Sequence, residues 1–319
     1  MPVATESAPL SIRFGSQETS CTSGEEGGVQ LDLAMPSLGS VHEESVGFFD
    51  KATPTTVSQQ GDFFLTRGNG WLAGCVARNA EFPLEAPTLQ LYRDLLDIVG
   101  DGQPIYRIWN YLPEINGKTD GLENYRWFNV GRHRAYQERF DGRMAAHISA
   151  ASAVGMDGQK LALAFIAGEA PVRGIENPEQ VPAHRYPNDY GPKSPSFIRG
   201  STTKVAGNET AFLSGTSSIK GHQTVGFGDF ESQFETTIEN IRIVAEQMGC
   251  PTAVSFTSPL RRHFKFYLRH REDFPLARDL FARTVGERAA AETVFLQADI
   301  CRSDLALEIE GIFSDPTGS

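Results

Sequence analysis

The chain has 319 residues, enough for two ordinary domain cores, and its 40% hydrophobic and 22% charged content is that of a globular protein. A net charge of −11 argues against general nucleic-acid binding, which needs a basic surface. No apolar run approaches the roughly 18 residues of a membrane helix, so no membrane partner is expected.

Residues 1–28 are rich in Ser, Thr, Glu and Gly without an apolar period, and are expected to form a loose arm. The N-terminus lacks a basic region followed by an apolar core, so no secretory signal is expected. The pattern over 62–77 predicts a hairpin turning at Gly68-Asn69-Gly70. Thr88 reads as the N-cap of a helix that Gly100 stops. PIYRIWNYL (104–112) reads as a buried strand, followed by a helix over about 123–140. MAAHISAASAV and KLALAFIAG then predict a second hairpin turning at Asp157-Gly158. Residues 171–197 hold six prolines and three aromatics, which suits an ordered irregular segment lining a site.

The same order of elements returns in the second half. A strand is predicted over 210–219, then a helix capped by Asp229 with Phe230, Phe234, Ile238, Ile241, Ala245 and Met248 on one stripe. Strands follow at 252–258 and 263–270, the second with solvent-facing cations. A helix opened by Pro275 and two closing strands complete the chain. The fold class is therefore α/β (α+β): two tandem domains, 29–170 and 171–319, each a mainly antiparallel sheet with helices on one face. No G-x-G-x-x-G and no Walker loop points to a nucleotide.

LALEIEG (305–311) repeats LALAFIAG (161–168) with Glu308 where the first copy has Ala164. Strand parity puts Glu308 and Glu310 on one face. Either that face is a solvated one on an edge strand, or Glu308 is a general acid raised by desolvation. Cys301 precedes the strand; alone, a cysteine there reads as a small packed residue. Arg126, Arg132 and Arg134 fall on the second helix, where a solvated face is the default. Arg185 and Arg199 flank the aromatic–proline segment and suit carboxylate binding. His222 either contacts substrate or satisfies a turn. The scattered cysteines and histidines give no metal-ligand spacing, and free thiols suit a cytoplasmic protein.

Five segments together resemble the chorismatase family, which splits pyruvate from chorismate: YRIWNYLPEIN (106–116), LENYRWFNVGRHRAY (122–136), PAHRYPNDYGPKSPSF (182–197), SGTSSIKGHQTVGFGDFESQFETTIENI (214–241) and DICRSDLALEIEG (299–311). The resemblance implies tandem domains similar to the RidA/YjgF fold, chorismate as substrate, and no metal or organic cofactor. It implies that Glu308 protonates the enol-ether methylene. In one branch water then attacks and a dihydroxycyclohexadiene carboxylate leaves. In the other the ring hydroxyl displaces the side chain and 3-hydroxybenzoate forms. Gly215 and Cys301 resemble the 3-hydroxybenzoate subgroup. Arg134, Arg185 and Tyr190 are expected to hold the substrate, and a monomer is expected. The Arg of the RidA pattern is absent around Thr293, which disfavours an imine deaminase, and Gln223 departs from the acidic residue expected there. Hydrolysis, 4-hydroxybenzoate formation and a non-catalytic binding module remain alternatives.

Overall fold

The computed structural model describes residues 8–24, 28–46 and 55–315. Four short strands come first: β1 (Leu10–Phe14), β2 (Ser20–Ser23), β3 (Val29–Leu33) and β4 (Glu43–Ser45), in the order β2-β3-β1-β4. The expected loose arm is therefore wrong for residues 8–23. Alternate residues of β1, Leu10, Ile12 and Phe14, are buried against the core of the larger sheets, which holds the segment in place. Residues 1–7 and 25–27 of that expectation lie outside the described residues.

The first large sheet contains β5 (Thr56–Gln60), β6 (Phe63–Gly68), β7 (Trp71–Asn79), β8 (Ile105–Pro113), β11 (Ala150–Met156) and β12 (Lys160–Gly168). A two-residue hairpin, β9 (Lys118–Thr119) and β10 (Leu122–Glu123), leads into α2 (Asn124–Phe140). The first helix, α1 (Glu85–Val99), begins one turn before the expected cap. Thr88 is buried inside it, and Pro87 is tolerated because the amide it lacks in the first turn has no intrahelical acceptor. The predicted hairpin at residues 68–71 is present, with Gly68 opposite Trp71.

The second large sheet holds β13 (Arg173–Ile175), β14 (Gly200–Val205), β15 (Asn208–Thr216), β18 (Arg261–Leu268), β19 (Val294–Gln297) and β20 (Leu307–Ser314). Between β15 and β18 come a small hairpin, β16 (Ile219–Lys220) and β17 (Gln223–Thr224), and the long helix α3 (Phe230–Gln247). Asp229 caps α3 by accepting the Ser232 amide, as its sequence position predicts. The helices α4 (Phe274–Val285) and α5 (Glu287–Ala291) precede β19. Residues 252–258 form turns instead of the predicted strand, although Ala253 and Val254 are buried in the core.

The two sheets have the same plan. The first runs β11-β8-β12-β7-β6-β5 and the second β19-β18-β20-β15-β14-β13. In each, the strand before the last pairs parallel with its predecessor, and the last strand slots between two earlier ones. That corrects the predicted second hairpin: β11 and β12 are not paired, because β8 lies between them. The β11 edge is bridged by Ile198 and the β19 edge by Ser37.

Each sheet packs its helices on one face, α1 and α2 on the first and α3 and α4 on the second. The opposite faces meet in a shared core with β1 and β3. A chain of charges is buried in that core. Lys265 of β18 pairs with Glu44 of β4 and with Glu310 of β20, each at 2.7 Å. Glu310 also accepts Arg107 Nη2 at 2.7 Å and Trp109 Nε1 at 2.9 Å. All four charged side chains are at most 2% exposed. Lys265 is thus not the solvent-facing cation its sequence pattern suggests. No helix among the described residues is long and apolar enough to cross a membrane.

Such a network tolerates no unmatched member. Lys265→Met should cost about 3–5 kcal/mol of unfolding free energy, because it leaves two buried carboxylates short of a cation. Urea denaturation at neutral pH measures this, and an unchanged midpoint would contradict the account.

Candidate active site

At the seam of the two large sheets lies a cavity whose empty space, its open mouth included, is about 820 Å³. Its walls come from β11, β15, β20, the start of α2 and the irregular segment before β14. Glu308 projects into it and is only 4% exposed. The strand parity read from the sequence holds: Leu307 and Ile309 face the helices, while Glu308 and Glu310 face the seam. The solvated edge is excluded, since β20 is central in its sheet.

Burial pushes the Glu308 carboxyl up to about 8, and the nearby Glu310 carboxylate adds to the rise. Arg107, the Ser217 hydroxyl and Arg199 moderate it. Glu308 Oε1 is buried without a hydrogen-bond partner. The group is therefore a neutral acid at pH 7, able to donate a proton. Cys301 lies on the cavity wall, and burial with the nearby Glu308 pushes its thiol up to about 12, so it is an uncharged, weakly polar surface.

Gly215 sits where β15 bulges. Leu213 faces Gly311 and Thr216 faces Ile309, so Ser214 and Gly215 together oppose Glu310. A Cβ at position 215 would collide with the Glu308 carboxyl. The space freed by this glycine is occupied by the acid itself, not kept open for a ring to sit deeper.

The cavity is also lined by cations. Arg132, Arg199 and Arg302 line the cavity, and none pairs with a carboxylate among the described residues. Their partners are neutral: Asn129 Oδ1 for Arg132, Tyr186 Oη for Arg199, and the His222 carbonyl for Arg302. Arg132 Nε and Arg199 Nε are buried with no acceptor. Arg302 stacks 4.1 Å from the Tyr190 ring centroid, and the Tyr190 hydroxyl meets His222 Nδ1 at 3.1 Å. Buried guanidinium groups left with free donors are suited to a carboxylate-bearing ligand.

Glu308, Cys301, Gly215 and Tyr190 thus share one cavity, whereas Arg134 and Arg185 do not reach it. Arg134 is on the outer face of α2, about half exposed, paired with Glu85 and Glu138. Arg185 is exposed on a short turn of 3₁₀ helix. The arginine that enters from α2 is Arg132, two residues earlier and so on the opposite helix face. Its sequence signal was available: it stands four residues from both Phe128 and Tyr136, within the buried stripe. Arg302, adjacent to Cys301, carries no such pattern. Gln223 is exposed and does not line the cavity. No group of three or more His, Cys, Asp or Glu side chains is placed to hold a metal ion among the described residues.

Residues 48–167 match the family described as Chorismatase FkbO/Hyg5-like, N-terminal. A chorismatase of Streptomyces rapamycinicus is 39% identical over 243 residues, covering 71% of this chain and 70% of that protein. A 3-hydroxybenzoate synthase of Streptomyces hygroscopicus is 34% identical over 224 residues, 65% of this chain and 63% of that protein. A crystal structure of a chorismatase superimposes with a TM-score of 0.81 at 28% identity, covering 97% of this chain and 93% of the other.

The raised Glu308 carboxyl leaves a signature independent of any ligand. With the folded value about 8 against an ordinary 4.5, its contribution to stability is full below pH 4.5 and is lost as pH rises through 8. The urea midpoint of the wild type should therefore fall over that window more than that of Glu308→Gln. Parallel curves would show the carboxyl to be ionised in the folded protein.

Proposed function

Because the chain belongs to the chorismatase family, we propose that its cavity binds chorismate and that Glu308 starts the cleavage which releases pyruvate. The observation that carries this reading is the pairing of a neutral buried acid with a wall of arginines that have no carboxylate of their own. Chorismate is a dicarboxylate. Arg132, Arg199 and Arg302 would hold its two carboxylates and set the enol ether against Glu308.

Glu308 gives its proton to the side-chain methylene carbon, and the ether oxygen shares the resulting positive charge. The carboxylate left behind faces that cation in a buried site, where the attraction is strong. From the cation, the ring hydroxyl displaces the side chain, pyruvate leaves, and the ring aromatises to 3-hydroxybenzoate. Those two products together contain the atoms of chorismate, so no water is consumed. Cys301 on the wall supports this branch, since its uncharged sulfur takes space from which water would attack. The similarity to a 3-hydroxybenzoate synthase supports the same product.

Incubation with chorismate followed by chromatography should give pyruvate and mainly 3-hydroxybenzoate; a dihydroxycyclohexadiene carboxylate as main product would overturn the branch but not the cleavage. Glu308→Gln should lower turnover by about 10²–10⁴-fold, the usual worth of a general acid. Near-wild-type turnover in the folded variant would remove Glu308 from that role. Cys301→Ala tests product choice more cleanly than Gly215→Ala, which would displace the acid. It should raise the share of the diene, and an unchanged ratio would show that the sulfur does not exclude water.

Arg199→Lys should raise the chorismate concentration needed for half-saturation by at least about tenfold, since a point charge cannot form the two-pronged bond. Arg134→Lys should leave it unchanged. The reverse ranking would relocate the carboxylate site.

A further inference from the structure

One hydroxyl stands between the acid and the buried charge network. Ser152, on β11 of the first half, donates to a Glu310 carboxylate oxygen and accepts from both Arg107 Nη2 and the Gly215 amide, the last at 3.0 Å. All its hydrogen-bonding capacity is used. Gly215 is in the bulge of β15, where the ladder to β20 is interrupted, so its N–H is satisfied by Ser152 rather than by a neighbouring strand. The other bulge residue is tied to the same strand: the Ala151 amide donates to Ser214 Oγ.

We propose that Ser152 is a positioning residue for the acid: it engages the Gly215 amide and so keeps that amide from donating to Glu308. This rests on the reading of Glu308 as the proton donor. Glu308 Oε1 lies against Gly215 and has no hydrogen-bond partner. It is the adjacent buried acceptor with spare capacity. If Ser152 loses its hydroxyl, the part-buried Gly215 N–H loses its acceptor, and Glu308 Oε1 beside it is an acceptor the bulge can turn toward. An amide donating to a carboxyl favours the charged form. The acid would then surrender its proton at lower pH and be spent before substrate arrives.

Of the other groups around Glu308, the substitution touches two, Glu310 on its own strand and Arg107 on β8, which each lose their bond to Ser152. The rest, Tyr267 on β18, Tyr125 on α2, and Arg199, Ser217 and Cys301 from the connecting segments, make no hydrogen bond to Ser152. Glu310 keeps Arg107, Trp109 and Lys265 as partners without Ser152. A less well-bonded Glu310 would act on Glu308 upward, so a downward shift identifies the freed amide.

The experiment is a pair of pH titrations on full-length wild type, Ser152→Ala and Ser152→Cys. The first follows pyruvate release from chorismate. The second follows the carboxylic-acid infrared band of Glu308, identified by its loss in Glu308→Gln, with no substrate present. In Ser152→Ala both midpoints should move to lower pH by about one to two units, the worth of one hydrogen bond to a charged group. Ser152→Cys, close to serine in shape and a weaker acceptor, should move them less in the same direction, and serves if the alanine variant does not fold. A loss of rate at every pH with unmoved midpoints would make Ser152 a merely structural residue and overturn the proposal. If the wild type releases no pyruvate, the functional reading fails, while the infrared titration still decides the role of Ser152.

Discussion

A single carboxylate, Glu310, is held between two cations from different halves of the chain, Arg107 and Lys265. Those cations are counterparts. Arg107 lies opposite Ile166 in the first sheet, and Lys265 opposite Glu310 in the second. Ile166 and Glu310 hold the same place in the LALAFIAG and LALEIEG strings. The repeat thus brings two equivalent cations into one core, and one strand supplies the anion between them. Glu44, from β4, matches the remaining charge: two acids and two bases are buried together. Burying any subset would carry a desolvation cost of several kcal/mol per ion, so the two sheets and the N-terminal strands are bound to a common arrangement.

The acid inherits its character from this neighbourhood. Glu308 is one turn of the pleat away from Glu310 and has no cation of its own, so burial and a neighbouring anion act on it in the same direction. Elsewhere in the cavity the imbalance is reversed: the Arg132, Arg199 and Arg302 guanidinium groups have no carboxylate partner among the described residues. The site combines a neutral donor with fixed positive charge in one cavity. Such preorganisation costs the molecule stability.

Much of this was legible in the sequence. The Gly68–Gly70 turn, the Asp229 cap and the LAL repeat have local causes that one chain displays. The pairing of β8 between β11 and β12 has none, because a short turn does not reveal which strand slots between its arms. The run 263–270 misled for a different reason. Period-two alternation distinguishes two faces but not what covers each, and here the polar face meets a second sheet rather than water. The arginines failed by angle. Two residues along a helix is about 200°, enough to send Arg134 to solvent while Arg132 enters the cavity.

The bridges at Ile198 and Ser37 bear on how this chain behaves among its own copies. They occupy the outer edges of β11 and β19, which would otherwise offer unpaired backbone to a passing strand. At the far ends of the sheets, β5 reads TVSQQ and is largely exposed, and β13 is three residues long. A polar edge and a stub are poor templates. Among the described residues, each large sheet thus offers little edge to a passing strand, which lowers the risk that copies of this chain pair edge to edge.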